Sequence, residues 1–147
     1  MLVMQILSLK GDSAAQVATI DPARTVADAA MLLAERRIGA VVVSADGRTP
    51  EGILSERDIV RELGRQGEGI LSEPVSALMT RKVMTCTSGE DALTVLERMT
   101  EGRFRHLPVI DENGEMLGIV SIGDAVSARL RELSAEKDAL TGMIMGA

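Results

Sequence analysis

The sequence predicts a mixed α/β (α+β) protein built from two copies of one β-α-β-β-α unit. The main observation is an internal repeat, since the heptapeptide GILSERD at 52–58 returns 66 residues later as GIVSIGD at 118–124. The same register also holds outside this motif without a gap. Identical pairs include Val17 with Val83, Thr19 with Thr85, Glu35 with Glu101, Arg37 with Arg103, and Val43 with Val109. A chain that repeats itself in this way folds as two copies of one structural unit.

Each copy carries the signals of a strand, a helix, a hairpin and a second helix. In the first copy these are a strand at 17–20, a helix from Thr25 that Gly39 stops, strands at 40–44 and 51–54, and a helix from Ser55 to about residue 63. The second copy has a short helix at 74–79, a strand at 83–86, a helix capped within 88–91, a hairpin of 104–110 and 116–120, and a helix from Ser121. Residues 4–7, ahead of both copies, are expected to form a short helix or strand.

Size predicts that the two copies depend on each other. We divide the chain into a first repeat at 1–66, a second repeat at 67–133 and a helical extension at 134–147, with the glycine-containing segment 64–73 as connector. Units of about 65 residues are marginally stable alone, so the two halves are expected to bury surface against each other.

Composition excludes several classes of function. A net charge of −6 with charges of both signs, and one aromatic residue, argue against nucleic-acid binding. One cysteine permits no internal disulfide and suits a reducing compartment. No apolar run approaches the roughly 20 residues of a membrane span, and the apolar N-terminus lacks the features of a signal peptide. We therefore expect a cytoplasmic protein without membrane association.

The repeated motif has two interpretations. Ser55 and Ser121 each follow a strand and precede an aspartate by three residues, as in the N-terminal cap of a helix. Alternatively, the amides, hydroxyl and carboxylate at such a helix start form a site for a phosphorylated ribose. Capping does not require a glycine three residues before the serine, yet both copies have one. The duplication therefore favours the ligand site.

This order of elements around a Gly-apolar-apolar-Ser-x-x-Asp motif resembles the cystathionine-β-synthase (CBS) domain, present twice over roughly residues 2 to 133. The resemblance implies a stand-alone Bateman module, in which two repeats pack through their sheets into one disc with pseudo-twofold symmetry. It also implies that the cleft between the repeats binds an adenosine nucleotide such as AMP, ADP, ATP or NAD(H), or S-adenosylmethionine. No obligatory cofactor is expected.

The copies differ where a phosphate would be held. The second copy has Arg105 and His106 where the first has Gly39 and Ala40, and only the first motif contains an arginine, Arg57. Arginine offers two parallel donors to phosphate, and histidine offers a donor whose protonation changes near neutral pH. The alternatives are a solvated surface charge for the arginine and a hydrogen-bonded structural role for the histidine.

By the resemblance, the basic pair contacts ligand phosphates, and the motif serines and aspartates contact phosphate and ribose. The predicted ligand-binding residues are Ser121, Asp124, Arg105, His106, Pro108, Ser55, Arg57 and Asp58. We predict that the second copy forms the stronger half-site, that the first is weaker or empty, and that Arg57 serves either. Pro108 is expected to end or bend a strand and to leave its carbonyl free.

The last helix carries an apolar stripe that nothing else in the chain covers. Its members are Val126, Leu130, Leu133, Leu140 and Ile144. An exposed apolar stripe is unfavourable in water, so it either folds back on its own repeat or packs on a partner in a homodimer. The resemblance supports the homodimer, because CBS pairs commonly associate as stacked discs.

The leading functional hypothesis is a regulatory sensor that binds an adenosine nucleotide and thereby alters what a partner protein contacts. The alternative is a structural homodimerisation module without ligand binding. Catalysis is not expected, because His106 is the only histidine and no third group is evident to orient it beside a nucleophile. One cysteine and one histidine also provide no metal-ligand pattern.

Overall fold

The fold follows the predicted order of elements. The structure is a computed structural model and describes residues 1–15 and 17–146, of which 12–15 by backbone alone. Helices α1 to α6 span Val3–Ala15, Val26–Arg36, Glu56–Gln66, Val75–Leu78, Ala92–Gly102 and Ile122–Ile144. Strands β1 to β5 span Thr19–Ile20, Ala40–Val43, Gly52–Ser55, His106–Ile110 and Met116–Ser121, and a 3-10 turn covers Glu68–Ser72.

The two copies form sheets of the same topology. In the first, β1 runs parallel to β2, which pairs antiparallel with β3. In the second, β4 pairs antiparallel with β5, and the strand predicted at 83–86 is reduced to a single parallel bridge between Cys86 and Val109. This bridge still supplies two backbone hydrogen bonds, of 3.0 Å and 2.9 Å, so it holds the place that β1 has in the first copy.

The prediction for Pro108 is wrong about its carbonyl and about the strand end, whereas the alternative of a bend agrees with the register shift between Val109 and Ile110. Pro108 lies inside β4 opposite Ile119, so it does not end the strand. Its carbonyl is not free, because it accepts the hydrogen bond from the Cys86 amide at 3.0 Å. A proline is tolerated here because β4 pairs through a full ladder on one side only, and the Cys86 bridge on the other side does not use the missing donor.

Both central helices end on an arginine in the left-handed conformation. Arg37 (φ 52°) and Arg103 (φ 57°) close α2 and α5, and their amides donate to the carbonyls of Leu33 and Met99. The helix in the first copy therefore ends before Gly39, which was predicted to stop it. Gly39 instead faces His106 across the cleft, as described below.

Each hydrophobic core contains residues from the segment that precedes the other copy. Val3 and Ile6 of α1 are buried in the core of the second copy. Conversely, Ile70 and Val75, which precede the second copy, are buried in the core of the first. We call 1–10 and 73–82 the lead-in segments. The division of the chain into repeats at residue 66 stays a prediction. Each hydrophobic core takes residues from both sides of that division.

The exchange of lead-in segments is symmetric, as backbone hydrogen bonds show. The Val3 amide donates to the Glu90 carbonyl at 2.9 Å, and the Val75 amide donates to the Arg24 carbonyl at 2.8 Å. The return bonds are also equivalent, from Ala92 to Met1 at 2.8 Å and from Val26 to Glu73 at 2.9 Å. Corresponding lead-in residues lie 72 positions apart rather than 66, because the first lead-in is followed by six additional residues.

The motif glycines make room for these lead-in segments. A Cβ on Gly52 would overlap the Met79 side chain and lie 3.1 Å from the Thr80 carbonyl oxygen. A Cβ on Gly118 would lie 2.7 Å from Cδ2 of Leu7, the residue equivalent to Met79. The glycine that favoured a ligand site in the sequence therefore has a packing role, and by itself it does not indicate a ligand.

The stripe on the last helix does not fold back on its own repeat. α6 is continuous from Ile122 to Ile144, and its apolar residues beyond the core are exposed, with Leu130 at 62% and Leu140 at 60%. The fold-back alternative is therefore wrong for this arrangement of the chain. Within residues 1–15 and 17–146, no helix is long and apolar enough to cross a membrane.

We predict that Gly52→Ala lowers the free energy of unfolding by about 1–3 kcal/mol, because the added methyl group overpacks against Met79 and the Thr80 carbonyl. Gly64→Ala is the matched control: nothing lies within 4 Å of its Cβ position in α3, and alanine favours the helix by up to about 1 kcal/mol. Denaturant unfolding followed by circular dichroism measures both. Equal stability of the two variants would contradict the packing role of Gly52.

Candidate functional site

The principal cavity between the two copies has a volume of about 600 Å³ and is lined by both repeated motifs. The first copy contributes residues 55–58 and the second contributes 121–123, together with 103–106 from the turn into β4. Residues 55–58 and 121–123 are the N-terminal turns of α3 and α6 with their capping serines. The volume lies within the range of about 300–1,000 Å³ that small-molecule sites occupy.

The motif serines and aspartates form helix caps in both copies. Ser55 accepts a hydrogen bond from the Asp58 amide at 3.2 Å, and Asp58 accepts one from the Ser55 amide at 3.0 Å. Ser121 and Asp124 repeat this capping box with distances of 3.1 Å and 2.9 Å. The capping interpretation is therefore correct, and any contact with a ligand is additional to it.

The caps leave one amide per motif without an acceptor. The first helical amides, of Glu56 and Ile122, donate to the carbonyls of Gly39 and Arg105. The second helical amides belong to Arg57 and Gly123, which line the cavity, and no acceptor among the described residues bonds them. An unpaired amide at a helix N-terminus favours an anion.

The two motif aspartates have different surroundings. Asp58 lines the cavity, and its Oδ1 accepts a hydrogen bond from Arg61 at 2.9 Å. Asp124 does not line the cavity; its Oδ2 accepts from the ammonium of Lys10 at 2.9 Å, while Oδ1 has no partner within the described part of the chain. Burial alone would raise the pKa of Asp124, but the bonds from Ser121 and Lys10 hold this pKa below its usual value.

Basic side chains dominate the charge of the cavity. Its lining contains five basic residues and two acidic ones, in a protein whose net charge is −6. The basic residues are Arg57, Arg61, Lys82, Arg103 and Arg105. Only Arg61 pairs with an acidic group; the other four form no ion pair with any residue that the structure describes. The cavity therefore attracts anions, because each of these cations gains an electrostatic partner when one binds.

His106 crosses the cleft from the second copy to the first. A Cβ on Gly39 would lie 3.6 Å from both Cε1 and Nε2 of the imidazole, and 3.7 Å from the Glu56 carboxylate. Burial and the nearby Arg105 lower the pKa of His106, against the smaller opposing effects of Asp124 and Glu56. The imidazole is therefore neutral at pH 7 and closes one side of the cavity.

Apolar side chains complete the lining. Ile53, Met84, Phe104 and Ile122 face the same cavity as the basic residues. A cavity that has an apolar part and a cationic part matches a ligand with an uncharged ring and a phosphate. Met84 belongs to the segment 83–86, which was predicted to be a strand and forms only the bridge at Cys86.

The chemical groups in the cleft do not form a nucleophilic site. His106 and Ser121 lie opposite each other in the β4–β5 ladder, but the serine oxygen serves the helix cap, and the described residues include no hydrogen bond between the two side chains. Burial, and secondarily Glu90, raises the pKa of the Cys86 thiol to about 12, so it is unreactive. Over the described ranges, no group of three or more possible ligands is arranged to hold a metal ion.

A second cavity, of about 430 Å³, lies on the outer side of the first copy. It is lined by three carboxylates, Asp21, Asp28 and Glu35, and by one basic residue, Arg24. The excess of negative charge disfavours a phosphate there. The cleft between the copies is therefore the candidate site.

Six of the eight predicted site residues line the cleft. They are Ser55, Arg57, Asp58, Arg105, His106 and Ser121. Asp124 and Pro108 do not line it. Lys82, Arg103 and Lys10 were not among the residues predicted from the sequence. Arg103 matches Arg37 in the 66-residue register, but the sequence does not show that its side chain points into the cleft. Lys10 and Lys82 lie in the lead-in segments. These two segments match each other at a spacing of 72 rather than 66, so the equivalence of the two lysines was not recognised.

This fold and cleft define a class of protein: two interlocked repeats around a shared, positively charged pocket. Residues 13–65 and 75–131 match the CBS domain, and the chain therefore belongs to the CBS domain family. The resemblance stated from the motifs and the predicted fold class, a tandem of two CBS-type units, are both confirmed.

Several relatives resemble the chain over most of its length. It is 38% identical over 126 residues to the mitochondrial CBS domain-containing protein CBSX3 of Arabidopsis thaliana, which is 83% of this chain and 61% of CBSX3. The CBS-domain protein ATU1752 of Agrobacterium tumefaciens superposes with a TM-score of 0.81 at 41% identity, over 88% of this chain and 99% of that one. CBSX2, solved in complex with AMP, has a TM-score of 0.67 at 28% identity, over 79% and 89%.

We predict that the free energy of unfolding falls as the pH falls from 7 to 5, and that His106→Gln flattens this dependence. The unfolded chain takes up a proton near pH 6.5, whereas burial lowers the pKa of folded His106, so the unfolded state binds more protons in this window. The expected difference is about 1.4 kcal/mol per unit by which the pKa is lowered. Denaturant unfolding at several pH values measures it; an equal slope in both proteins would contradict the burial of a neutral imidazole.

Proposed function

We propose that this chain is a regulatory module that binds an adenosine nucleotide in the cleft between its two CBS repeats. The observation that carries the proposal is the combination of four unpaired basic side chains and an apolar wall in one cavity of about 600 Å³. The basic side chains and the two free helix amides suit the phosphates, and the apolar wall suits the purine ring. The relative CBSX2 has been solved with AMP, which supports the same ligand class.

The predicted residues have distinct roles in this proposal. Arg105 and Arg57 approach the phosphates from opposite copies, and Asp58 accepts hydrogen bonds from the ribose diol. His106, neutral at pH 7, donates or accepts one hydrogen bond at the cavity wall. Ser55 and Ser121 hold the helix starts through their caps and thereby aim the free amides into the cavity.

Regulation follows from the joint construction of the site. Phosphates that contact arginines of both copies bind best when the copies are closed around them, so the ligand favours that arrangement. A partner protein that distinguishes the arrangements then responds to the nucleotide. The role is non-catalytic in this proposal, because the cleft contains no nucleophile paired with a base.

We predict that Arg105→Gln weakens ADP binding about 10- to 100-fold, because it removes one charge-assisted hydrogen bond worth about 1.5–3 kcal/mol. Adenosine, which has no phosphate, should bind equally to both proteins. Arg131→Gln is the matched control, since Arg131 is exposed on α6 away from the cavity. Isothermal titration calorimetry with AMP, ADP and adenosine measures all three proteins.

Absence of binding by any of AMP, ADP, ATP, NADH or S-adenosylmethionine to the wild-type chain would overturn the proposed ligand class. Equal weakening by the Arg105 and Arg131 substitutions would show that net charge, rather than this cavity, controls affinity.

We also propose that the protein is a homodimer through the exposed stripe of α6. Val126, Leu130 and Leu133 are 40%, 62% and 44% exposed, and they lie on one side of a continuous helix. A contiguous apolar stripe of this kind is covered by a partner in most soluble proteins. The same stripe favours the second candidate function, a dimerisation module without ligand binding, which the nucleotide titrations separate from the first.

We predict that Leu130→Asp converts the dimer into a monomer, because it places a charge in the centre of the apolar contact. Ala135→Asp, at an exposed position on the opposite side of the same helix, should leave the dimer intact. Sedimentation velocity measures the mass in solution. A wild-type chain that sediments as a monomer at high concentration would contradict the dimer.

A further inference from the structure

Lys10 occupies the position next to the second motif where a ligand sugar would be expected. Its ammonium donates to the Asp124 carboxylate at 2.9 Å and to the Ile119 carbonyl at 2.8 Å. Both side chains of the ion pair are largely shielded, Lys10 at 21% and Asp124 at 24% exposure. Two hydrogen bonds from one partly buried ammonium form a stronger restraint than a surface ion pair.

The equivalent lysine of the other copy behaves differently. Lys82 corresponds to Lys10 at the lead-in spacing of 72, as Val75 corresponds to Val3. Lys82 lines the central cavity and forms no ion pair with any residue in the described ranges. The two equivalent lysines therefore have different surroundings. Lys82 lines the cavity, and Lys10 bonds the carboxylate of Asp124.

The length of the lead-in helices explains this difference. α4 ends at Leu78, so Thr80 continues in an extended form and exchanges two backbone hydrogen bonds with Ile53, of 2.9 Å and 3.1 Å. α1 instead stays helical through Lys10 and kinks only at Gly11 (φ 78°, ψ 167°), and the described residues include no such backbone pair at Ile119. The Ile119 carbonyl instead accepts a hydrogen bond from the Lys10 ammonium, where the equivalent Ile53 carbonyl accepts one from the Thr80 amide. This contact places the ammonium next to Asp124.

The carboxylates consequently differ in what a ligand would have to displace. The Asp58 side chain is itself 15% exposed and its Oδ2 is held by Ser55, so a diol has to compete at Oδ1. The competing cation there is Arg61, which is 57% exposed, so the diol replaces a weak surface interaction. At Asp124 it is Lys10, which bonds Oδ2 and would also lose its bond to Ile119. Oδ1 of Asp124 has no partner among the described residues, but it belongs to a side chain that does not line the cavity. Asp58 lines the cavity and Asp124 does not.

We propose that Lys10 closes the second half of the cleft, so that the chain binds one nucleotide with its sugar at Asp58. This inference rests on the proposed function and assigns the occupied half of that site. It reverses the ranking predicted from the sequence, in which the half-site of the second copy was the stronger. Lys10 is a specificity-determining residue: it sets the number of ligands without contacting the bound one.

Calorimetric titration with ADP tests the inference through the stoichiometry. The wild-type chain should bind one ADP, and Lys10→Met should bind two, because the Asp124 carboxylate loses its cation and becomes available. Lys10→Gln, whose amide still donates a hydrogen bond toward Ile119, gives the same test with less disturbance of α1. Lys137→Met, at an exposed position on α6, is the charge-matched control and should bind one.

Lys82→Met separates the two lysines. It should weaken ADP binding about tenfold and keep one site, because Lys82 faces the occupied half. Two ADP molecules on the wild-type chain, or one on both folded Lys10 variants, would overturn the closure by Lys10 while leaving the proposed function in place. No ADP, AMP or ATP bound by any of these proteins would overturn the proposed function itself, and the inference with it.

Discussion

The exchange of lead-in segments between the two copies is the constraint on which the rest of this structure depends. Each copy is completed by residues that precede the other, so neither core is closed until both are formed. The motif glycines Gly52 and Gly118 leave room for this exchange, because Met79 and Leu7 occupy the space that a Cβ would take. Two units of this size gain by such interlocking the burial that neither achieves alone.

The cleft is a consequence of the same exchange. Because α3 and α6 start at equivalent positions, their N-terminal turns meet at one cavity and direct unpaired amides into it. The serines and aspartates of the motifs are largely committed to capping these helices. Recognition of an anion therefore falls mainly to the side chains around the caps, and these are the residues in which the copies differ.

Most of the helices and strands, and most of the residues that line the cleft, could be predicted from the sequence, since both follow from local signals. Repetition at a spacing of 66 located the motifs, and the cap pattern located the starts of α3 and α6. The purpose of the glycines was misassigned, because their neighbours come from segments distant in the chain. Pro108 was misjudged for a related reason: its carbonyl partner, Cys86, belongs to a bridge rather than to the predicted strand.

The difference between the two half-sites could not be predicted from the local sequence of the motifs. Arg105 and His106 marked the second copy as the richer in phosphate donors, and this inference ignored what else reaches its carboxylate. Lys10 reaches Asp124 only because α1 runs on as a helix where α4 stops. The contact depends on the length of α1, on the packing of the first lead-in segment against the second copy, and on the 72-residue spacing of the lead-in segments. The motif sequence contains none of this information.

A crystal structure of the wild-type chain with ADP tests the central claim most directly. The account predicts density for one nucleotide per chain in the cleft, with its phosphates among Arg57, Lys82 and Arg105 and its ribose hydroxyls on the Asp58 carboxylate. Nucleotide density in the second cavity beside Asp21, or a ribose bound to Asp124 with Lys10 displaced, would contradict it.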